Sequence, residues 1–543
     1  MLNILIVHPV YPGKVEIVYL PLGLGYIAAI AEQLGHRVQV LDMHNLRLSQ
    51  SALENELRRG DYDICLMGGF AMQVAHMRHA TETVRRLSPR TKVVLGGVGV
   101  SDIPEIILDY TGADAVAIGE CEATLGQMFE SVLANAAFEG VPTFVYRSPS
   151  GLIVKNPKGP LVEDLDTIPM PAYHLFDVDY ISQHSYNGEG FRSIHVLSSR
   201  GCPFRCSFCI NSILNDNKFL RGLHGEVIGE RKAAKQRFRS PQNLVAELTF
   251  LRNTYGITDF HFADEEFVTN RERVFEVCSA IEPLGITWST SGRADWASED
   301  KLTAMRAAGC RYVLLGVETG SQKMMDMMHK SGRKEKMADG IRSARASGMH
   351  FIANFMVGHP GETQETIAET IEFCRELELT FLPTYTTVFP NSKMFHDFAA
   401  TVKDWGAYFE QLSTVDFTSG PFTNLTDMPD RELIGLRNRA VTETVAYKLV
   451  GKERRFLAKL LALLLLRPAL IAHDHSPGWL RWLVRSALRQ VIDLSSRKGG
   501  AIQIPPNQLG QGVSTPMGED SFEESLRLLE EETDEASSSR TVS

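Results

Sequence analysis

The sequence predicts an α/β protein with a doubly wound parallel sheet over residues 1–145, a linker over 146–190, a partial (β/α)6 barrel over 191–390 and a helical region over 391–498. Three observations lead to this prediction. Short apolar runs alternate with amphipathic stretches in both long segments, and such βαβ repetition builds parallel sheets. The stretch between them carries five prolines and no sustained period. After 430 the chain turns strongly apolar and basic, whereas residues 499–543 have the polar, charged composition of a disordered tail.

The first series has five predicted strands, at 3–9, 37–42, 62–69, 92–97 and 113–120, with helices near 22–34, 47–59, 74–87, 102–110 and 122–134. Ligands of such sheets bind beyond the carboxyl ends of the strands. Two glycine pairs, Gly68-Gly69 and Gly96-Gly97, lie at those ends, where a missing side chain would let a ligand approach the backbone. Loops of parallel sheets are also rich in glycine when they bind nothing, so both interpretations stay open.

The second series has six predicted strands, at 193–199, 259–264, 286–290, 311–318, 350–358 and 380–387, with helices near 241–255, 270–284, 298–309, 321–347 and 363–378. Active sites of barrels lie at the C-terminal ends of the strands. Cys202, Cys206 and Cys209 follow the first of these strands in a C-x3-C-x2-C spacing. Chemistry is therefore expected at this point of the chain.

Three thiols on one loop match neither a disulfide, which needs two cysteines, nor a structural zinc site, which needs four ligands. They suit an iron–sulfur cluster with one iron left open. Zinc remains an alternative if His195 or His224 supplies the fourth ligand, and inert thiols are a further one. The other cysteines lie mostly in apolar or helical settings, where Cys65, Cys278, Cys310 and Cys374 are expected to serve packing.

The composition limits which classes of protein this chain can belong to. The chain has 543 residues, eight cysteines and a net charge of −10. Few cysteines and no recognisable signal peptide favour the reducing cytosol. The acidic balance argues against a general nucleic-acid binder.

One segment departs from the acidic balance of the whole chain. Residues 448–498 hold eleven Lys or Arg against three Asp or Glu, which makes them a candidate for peripheral contact with an anionic membrane. The alternative is that these helices pack on the barrel and turn their arginines to water.

The cysteine spacing after the first strand of a partial barrel resembles the radical S-adenosylmethionine (SAM) superfamily. Its members hold a [4Fe–4S] cluster on three cysteines, and the open iron binds SAM, which is cleaved to a 5′-deoxyadenosyl radical. The resemblance implies that Cys202, Cys206 and Cys209 are the cluster ligands. It also implies SAM contacts in four further motifs, FADEEF (262–267), SGRAD (291–295), GVETGS (316–321) and FMVGHPGET (355–363). The residues concerned are Asp264, Glu265, Ser291, Arg293, Glu318 and Gly358.

A doubly wound domain directly before such a barrel resembles the cobalamin-binding members of the superfamily, through YLPLGLGYIAAIAEQLGHRVQVLD (19–42) and VVLGGVGVS (93–101). The resemblance implies cobalamin beside Gly68, Gly69, Gly96 and Gly97. The D-x-H-x-x-G motif that supplies an axial histidine is replaced after the first strand by HPVYPGKVE, and His44 follows the second strand. Cobalamin is therefore expected without a histidine from this motif, and a domain that binds none is the alternative.

The leading functional interpretation is a cobalamin-dependent radical SAM methylase acting on a small molecule, with electrons from a reductase such as flavodoxin or ferredoxin. The runner-up is an oxidative cyclase similar to the anaerobic magnesium-protoporphyrin monomethyl ester cyclase. An RNA-modifying methylthiotransferase is less favoured because the N-terminal domain has only Cys65 and Cys121 rather than a further cysteine trio. A cobalamin-binding sensor is disfavoured by the intact cysteine loop. The pattern names neither the substrate nor a catalytic acid or base.

Overall fold

A computed structural model describes residues 1–11, 18–136, 138–185, 192–210, 235–414 and 423–450. In the N-terminal domain the strands are β1 (Asn3–His8), β2 (Arg37–Asp42), β3 (Ile64–Gly68), β4 (Lys92–Gly96), β5 (Ala115–Ala117), β6 (Phe144–Arg147) and β7 (Ile153–Lys155). The helices are α1 (Leu22–Gln33), α2 (Gln50–Arg59), α3 (Val74–Leu87), α4 (Pro104–Thr111) and α5 (Leu125–Leu133).

These seven strands form one sheet in the order β2-β1-β3-β4-β5-β6-β7. The first five are parallel, and β1 lies between β2 and β3. The direction in which the chain crosses the sheet reverses between β1 and β3, so a ligand crevice is expected beyond the carboxyl ends of these two strands. The doubly wound prediction is confirmed.

The sheet continues past residue 145, where the linker was expected to begin. Strands β6 and β7 pair antiparallel at its edge, with Tyr146 opposite Val154. The prolines of this stretch did not prevent strand formation because Pro149 lies in the turn and Pro157 follows the last strand. Helix α6 (Val178–His184) then leads to the barrel.

The barrel strands are β8 (Ser193–Val196), β11 (Asp259–Phe262), β12 (Thr287–Arg293), β13 (Cys310–Glu318), β14 (His350–Val357) and β15 (Pro383–Tyr385). Its helices are α7 (Pro241–Tyr255), α8 (Arg271–Ile281), α9 (Glu299–Ala307), α10 (Gln322–Met327), α11 (Lys334–Ala346) and α12 (Gln364–Glu376). The six parallel strands follow the order β15-β14-β13-β12-β11-β8. The two ends of this sheet are not paired with each other among the described residues, so the barrel is partial, as predicted.

A two-residue hairpin, β9 (Ser199–Arg200) with β10 (Arg237–Phe238), stands beside the first barrel strand. Residues 211–234, between Cys209 and this second arm, lie outside the described residues.

The helices after the barrel divide between the two domains. Helices α13 (Lys393–Ala399) and α14 (Trp405–Leu412) add Phe395, Tyr408 and Phe409 to the apolar core of the N-terminal sheet. Helix α15 (Asp430–Val450) instead packs on α12 of the barrel. In the part of the chain that is described, no helix is both long and apolar enough to cross a membrane. The basic segment beyond residue 450 and the tail 499–543 lie outside that part.

Candidate active site

The three cysteines lie on the cluster loop, residues 201–210, directly after β9. All three are free thiols, Cys206 is buried, and Cys202 and Cys209 are half-buried. Burial raises the pKa of the Cys202 thiol to about 12. Among the described residues, no group of three His, Cys, Asp or Glu side chains is arranged to hold one metal ion. A [4Fe–4S] cluster takes each thiolate on a different iron, so its ligands need not converge on one point. This donor set therefore fits a cluster.

His195, the candidate fourth zinc ligand, lies on β8 opposite His261 of β11, with the two ring centroids 5.2 Å apart. Burial lowers the pKa of His195 to about 4. His224, the other candidate, lies outside the described residues.

Ser207 fastens the cluster loop to the rest of the site. Its backbone N–H and hydroxyl donate to the carbonyl of Met328 at 2.8 and 3.1 Å. The hydroxyl also lies 3.2 Å from Nε2 of His359, and the carbonyl of Ser207 accepts from the N–H of Met394. The loop is thereby held by three segments that are distant in sequence. Sequence reasoning missed Ser207 because a serine between two cysteines has no diagnostic pattern.

Two cations lie beside Cys206. The guanidinium of Arg293 is 3.5 Å from the sulfur, and it also forms a two-pronged ion pair with Asp295 at 2.9 and 2.8 Å. Burial raises the pKa of Cys206, and the charges of Lys330 and Arg293 act in the opposite direction. A buried thiolate needs such compensation. Arg293 was expected near the SAM carboxylate; in the described contacts it serves Cys206 and Asp295, and contact with SAM stays a prediction.

The acidic motif after β11 is hydrogen-bonded to the segment that leads into the cluster loop and to the end of β12. Both carboxylate oxygens of Asp264 accept hydrogen bonds from the backbone and hydroxyls of Ser198 and Ser199. Glu266 accepts from the N–H groups of Arg293 and Val268, at 2.9 and 3.1 Å, and burial raises its pKa to about 7. These bonds hold the start of the cluster loop and the end of β12. Glu265, between them, is half-buried. The predicted SAM contacts of Asp264 and Glu265 stay predictions.

The remaining SAM motifs also lie at strand ends. Glu318 ends β13 at a bulge with φ +68°, and its carboxylate lies 3.3 Å from Nζ of Lys330. A side chain on Gly316 would lie 2.7 Å from that carboxylate. Ser291 is half-buried on β12. The structure thus brings Glu318, Lys330 and Arg293 together around Cys206.

Gly358 follows β14 with φ +90° and donates its N–H to the Glu362 carboxylate. Glu362 is 4% exposed, and burial raises its pKa to about 7. Lys330 and Glu362 were not predicted. A lysine and a glutamate are ordinary surface residues in a sequence pattern, and only their burial distinguishes them.

The glycine pairs of the N-terminal domain serve packing of two loops. A side chain at Gly97, which has φ +90°, would lie 2.8 Å from the backbone of Gly69, and one at Gly69 would meet Gln73 at 2.3 Å. The loops after β3 and β4 are joined by Gly69 N–H to Gly96 O and Gly99 N–H to Gly69 O. Gly68 and Gly96 have more room, with nearest contacts of 3.1 and 3.7 Å. Approach of cobalamin to these four glycines stays a prediction.

A buried network of polar side chains lies at the carboxyl end of β1. Nδ1 of His8 is 2.8 Å from Asp42, Nε2 is 3.1 Å from the Tyr19 hydroxyl, and Asn45 donates to the same aspartate. Both ring nitrogens of His8 are therefore engaged. This histidine occupies the place in the chain where an axial ligand of cobalt would be sought, and binding of cobalamin without a histidine ligand stays a prediction.

Four charged side chains join the two domains. Arg200, two residues before Cys202, lies 2.9 Å from Glu120 and 2.6 Å from Glu122, both in the loop after β5. Arg237, opposite Arg200 in the hairpin, also pairs with Glu120. The ring of Tyr26 lies 5.0 Å from the Arg200 guanidinium. This network, Glu120–Glu122–Arg200–Arg237, ties the carboxyl edge of the N-terminal sheet to the cluster loop.

Comparison with known proteins agrees with this geometry. The family model of the radical SAM superfamily matches residues 196–374, and that of the B12 binding domain matches residues 10–128. The chain contains a radical SAM domain and a B12-binding domain. These are the domains of a [4Fe–4S] cluster with SAM and of cobalamin, so the three predicted cofactors are confirmed at the level of the domains, and the protein is an enzyme.

Several proteins are similar to this chain over most of its length. An uncharacterized methyltransferase of Pyrococcus horikoshii is 27% identical over 69% of this chain and 77% of its own. The anaerobic magnesium-protoporphyrin IX monomethyl ester cyclase of Rubrivivax gelatinosus is 27% identical over 69% of this chain and 66% of its own. A solved structure of the cobalamin-dependent SAM radical enzyme OxsB, with aqua-cobalamin and SAM bound, covers 94% of this chain and 82% of that chain with a TM-score of 0.60 and 15% identity. It shows that the fold is shared.

Proposed function

We propose that the protein is a cobalamin-dependent radical SAM methyltransferase that methylates an unactivated carbon of a small molecule, of the natural-product, lipid or tetrapyrrole kind. The observation that carries the proposal is the Glu120–Glu122–Arg200–Arg237 network, because it holds the cluster loop against the carboxyl edge of the B12-binding domain. Methyl transfer needs the radical source and the methyl source to face one substrate. A network at this boundary supplies that arrangement.

When bound, the cluster and SAM supply a radical that removes a hydrogen atom, and cobalamin supplies the methyl group. The reaction balances as one substrate C–H bond, two SAM and two electrons, giving the methylated product, 5′-deoxyadenosine, methionine and S-adenosylhomocysteine.

The residues of the chain bind, orient and compensate charge. Cys202, Cys206 and Cys209 ligate the cluster, and Arg293 with Lys330 offsets the negative charge at Cys206. Asp264 positions the cluster loop through Ser198 and Ser199. Contacts with SAM are assigned to Asp264, Glu265, Ser291, Arg293, Glu318 and Gly358. The edge formed by Gly68, Gly69, Gly96 and Gly97 is assigned to cobalamin.

The two electrons come from a reductase such as flavodoxin or ferredoxin. We place the enzyme in the cytoplasm and assign the basic segment 448–498 to peripheral membrane contact, which suits an apolar substrate. Flotation of the full chain with anionic liposomes tests this assignment: binding at low salt that is lost at high salt supports it, and absence of binding at low salt rejects it.

The function is tested through the two products of SAM, which require no knowledge of the substrate. Anaerobically reconstituted protein with cobalamin, SAM and dithionite is expected to form both 5′-deoxyadenosine and S-adenosylhomocysteine. The same protein prepared without cobalamin should form only 5′-deoxyadenosine. If the cobalamin-loaded protein forms 5′-deoxyadenosine alone, the enzyme belongs with the non-methylating cyclases, and if it forms neither, the proposal fails.

A further inference from the structure

One exposed surface beside the cluster loop is not explained by the proposed cofactor contacts. It is the Trp296 surface, which consists of Phe204, Arg205, Trp296, Arg333, Lys334 and Lys336. The indole of Trp296 is 43% exposed, although tryptophan is normally well buried. Arg205, Arg333, Lys334 and Lys336 are exposed, and Phe204 is half-buried.

The chain segments that carry this surface adjoin one another. The rings of Phe204 and Trp296 lie 5.9 Å apart. Gly332 adjoins Asp295, since a side chain on this glycine would lie 2.6 Å from the Asp295 carboxylate. The neighbours of these residues in the chain, Arg205 after Phe204 and Arg333 after Gly332, complete the surface. Aromatic and arginine side chains are the types enriched at protein interfaces.

A short series of contacts leads from the exposed indole to a cluster ligand. Trp296 contacts Phe204, the Phe204 ring lies 4.1 Å from the Arg293 guanidinium, and that guanidinium lies 3.5 Å from the sulfur of Cys206. Arg205 also stands between two of the cluster cysteines in the chain. The Trp296 surface is therefore the outer end of a packed path to the cluster.

The charge of the Trp296 surface is opposite to that of the whole protein. The residues that define it include four cations, in a chain of net charge −10, and the exposed acids Glu335 and Asp339 lie on the helix that carries Lys334 and Lys336. Lys336 lies 3.7 Å from Asp339, whereas Arg205, Arg333 and Lys334 form no ion pair with a described residue. On the flank, Asp300 is paired with Arg271. Basic side chains that lack an internal partner attract an acidic one.

We infer that the Trp296 surface is the docking site of a small acidic one-electron carrier protein that reduces the cluster. The donor loses one electron and the cluster gains it. Transfer of this electron to SAM breaks one S–C bond and gives methionine and a 5′-deoxyadenosyl radical. Hydrogen abstraction converts that radical to 5′-deoxyadenosine. Redox encounters of this kind use small interfaces and long-range attraction, which accords with a compact aromatic patch ringed by cations. The inference rests on the reductive cleavage of SAM in the proposed function, but not on methyl transfer.

The test compares two reductants of the full-length reconstituted enzyme, reduced flavodoxin, which must dock, and dithionite, which need not. The readout is 5′-deoxyadenosine formed from SAM. The variant R333E/K334E should lower the flavodoxin-driven rate by about tenfold at low salt, since two attractive charges become repulsive, and leave the dithionite-driven rate unchanged. The matched control is R58E/R59E on α2, which reverses two adjacent exposed arginines of the other domain and should change neither rate.

A second measurement needs no variant. The flavodoxin-driven rate of the wild-type enzyme should fall as salt is raised, because screening weakens docking, while the dithionite-driven rate stays constant. The inference is overturned if R333E/K334E keeps the wild-type flavodoxin rate, if R58E/R59E loses the same amount, or if the flavodoxin rate is independent of salt. Absence of 5′-deoxyadenosine with dithionite in the wild-type enzyme would instead reject the proposed function.

Discussion

Arg200 of β9 and Glu120 of the B12-binding domain form an ion pair at 2.9 Å across the boundary of the two domains, with side chains only 13% and 16% exposed. Because Arg237 shares the same carboxylate, the pair is one half of a charge-balanced group of two guanidinium groups and two carboxylates. We expect the relative position of the two cofactor-binding regions to depend on it.

Glu120→Gln tests this dependence. The substitution leaves two buried guanidinium groups with one carboxylate, and removing one partner of a buried pair costs about 3 kcal/mol. The control is Glu163→Gln, because Glu163 pairs with Lys235 at 3.2 Å near the same boundary but with side chains 67% and 80% exposed. The control should lose less than about 1 kcal/mol. Urea unfolding measures both, and equal losses would contradict a special role for Glu120.

Replacement of Cys202, Cys206 or Cys209 by Ala should abolish binding of the cluster, because each thiolate holds its own iron. Iron and sulfide content and visible absorption of the reconstituted variants measure this. Cys278→Ala and Cys374→Ala are matched controls, since these thiols are 4% and 0% exposed in the apolar core. They should keep the cluster. A triple variant of the loop that still holds iron and sulfide would show that the ligands were assigned wrongly.

The Co(II) form of bound cobalamin should show no nitrogen superhyperfine coupling from a protein histidine. The reason is that both ring nitrogens of His8 are engaged, by Asp42 and Tyr19. Electron paramagnetic resonance of protein labelled with ¹⁵N-histidine distinguishes protein nitrogen from that of the cofactor. A change of the coupling pattern on labelling would refute the prediction, and so would loss of cobalamin on desalting, since then no cofactor is bound.

Glu362 should make the protein less stable as pH rises from about 4.5 to 7. Its pKa in the folded protein is about 7, above the ordinary value of 4.5, so the folded state holds the proton more tightly than the unfolded state. The stabilisation is complete below pH 4.5 and is lost through pH 7, with a magnitude of about 3 kcal/mol. Glu362→Gln should flatten this part of the profile of urea midpoints.

The control for that profile is Glu365→Gln, because Glu365 is exposed on the same segment and its pKa is lowered rather than raised. It should leave the slope between pH 4.5 and 7 unchanged. A Glu362→Gln profile with the wild-type slope would mean that another group causes the loss.

The strands and helices could be predicted because each carries its own period of apolar residues. Helix α3 begins and ends where the sequence places it, at Val74 and Leu87. The predicted bounds of elements are wrong where the local pattern of apolar residues carries no signal. Strand β12 continues through Ser291-Gly292-Arg293, which has no apolar residue, because β13 pairs with it along these three residues. The helix predicted over 321–347 is broken at 328–333, where Lys330 turns inward to Glu318 and Gly332 has φ +143°.

The candidate site was predictable only where a motif marks it. The three cysteines and the strand-end motifs are marked by spacing, and the structure places them around one loop. The partners that hold them are not, since Ser207 and His359 are 152 residues apart and Arg200 and Glu120 are 80 apart. Contacts over such separations depend on how distant elements pack in three dimensions, and no period of the sequence encodes that.

The position of helices α13 and α14 in the chain limits how the first domain can be exchanged between such enzymes. They belong to the core of the first domain, and Asn391 just before them donates its N–H to Asp102 at 3.0 Å. The barrel is therefore inserted into a domain whose last helices follow it in the chain. A chimaera that takes only residues 1–190 from another enzyme would leave Phe395, Tyr408 and Phe409 facing a foreign sheet. A working graft would have to carry two separate pieces of gene, the second covering residues 388–412, so the unit of recombination in this architecture is discontinuous.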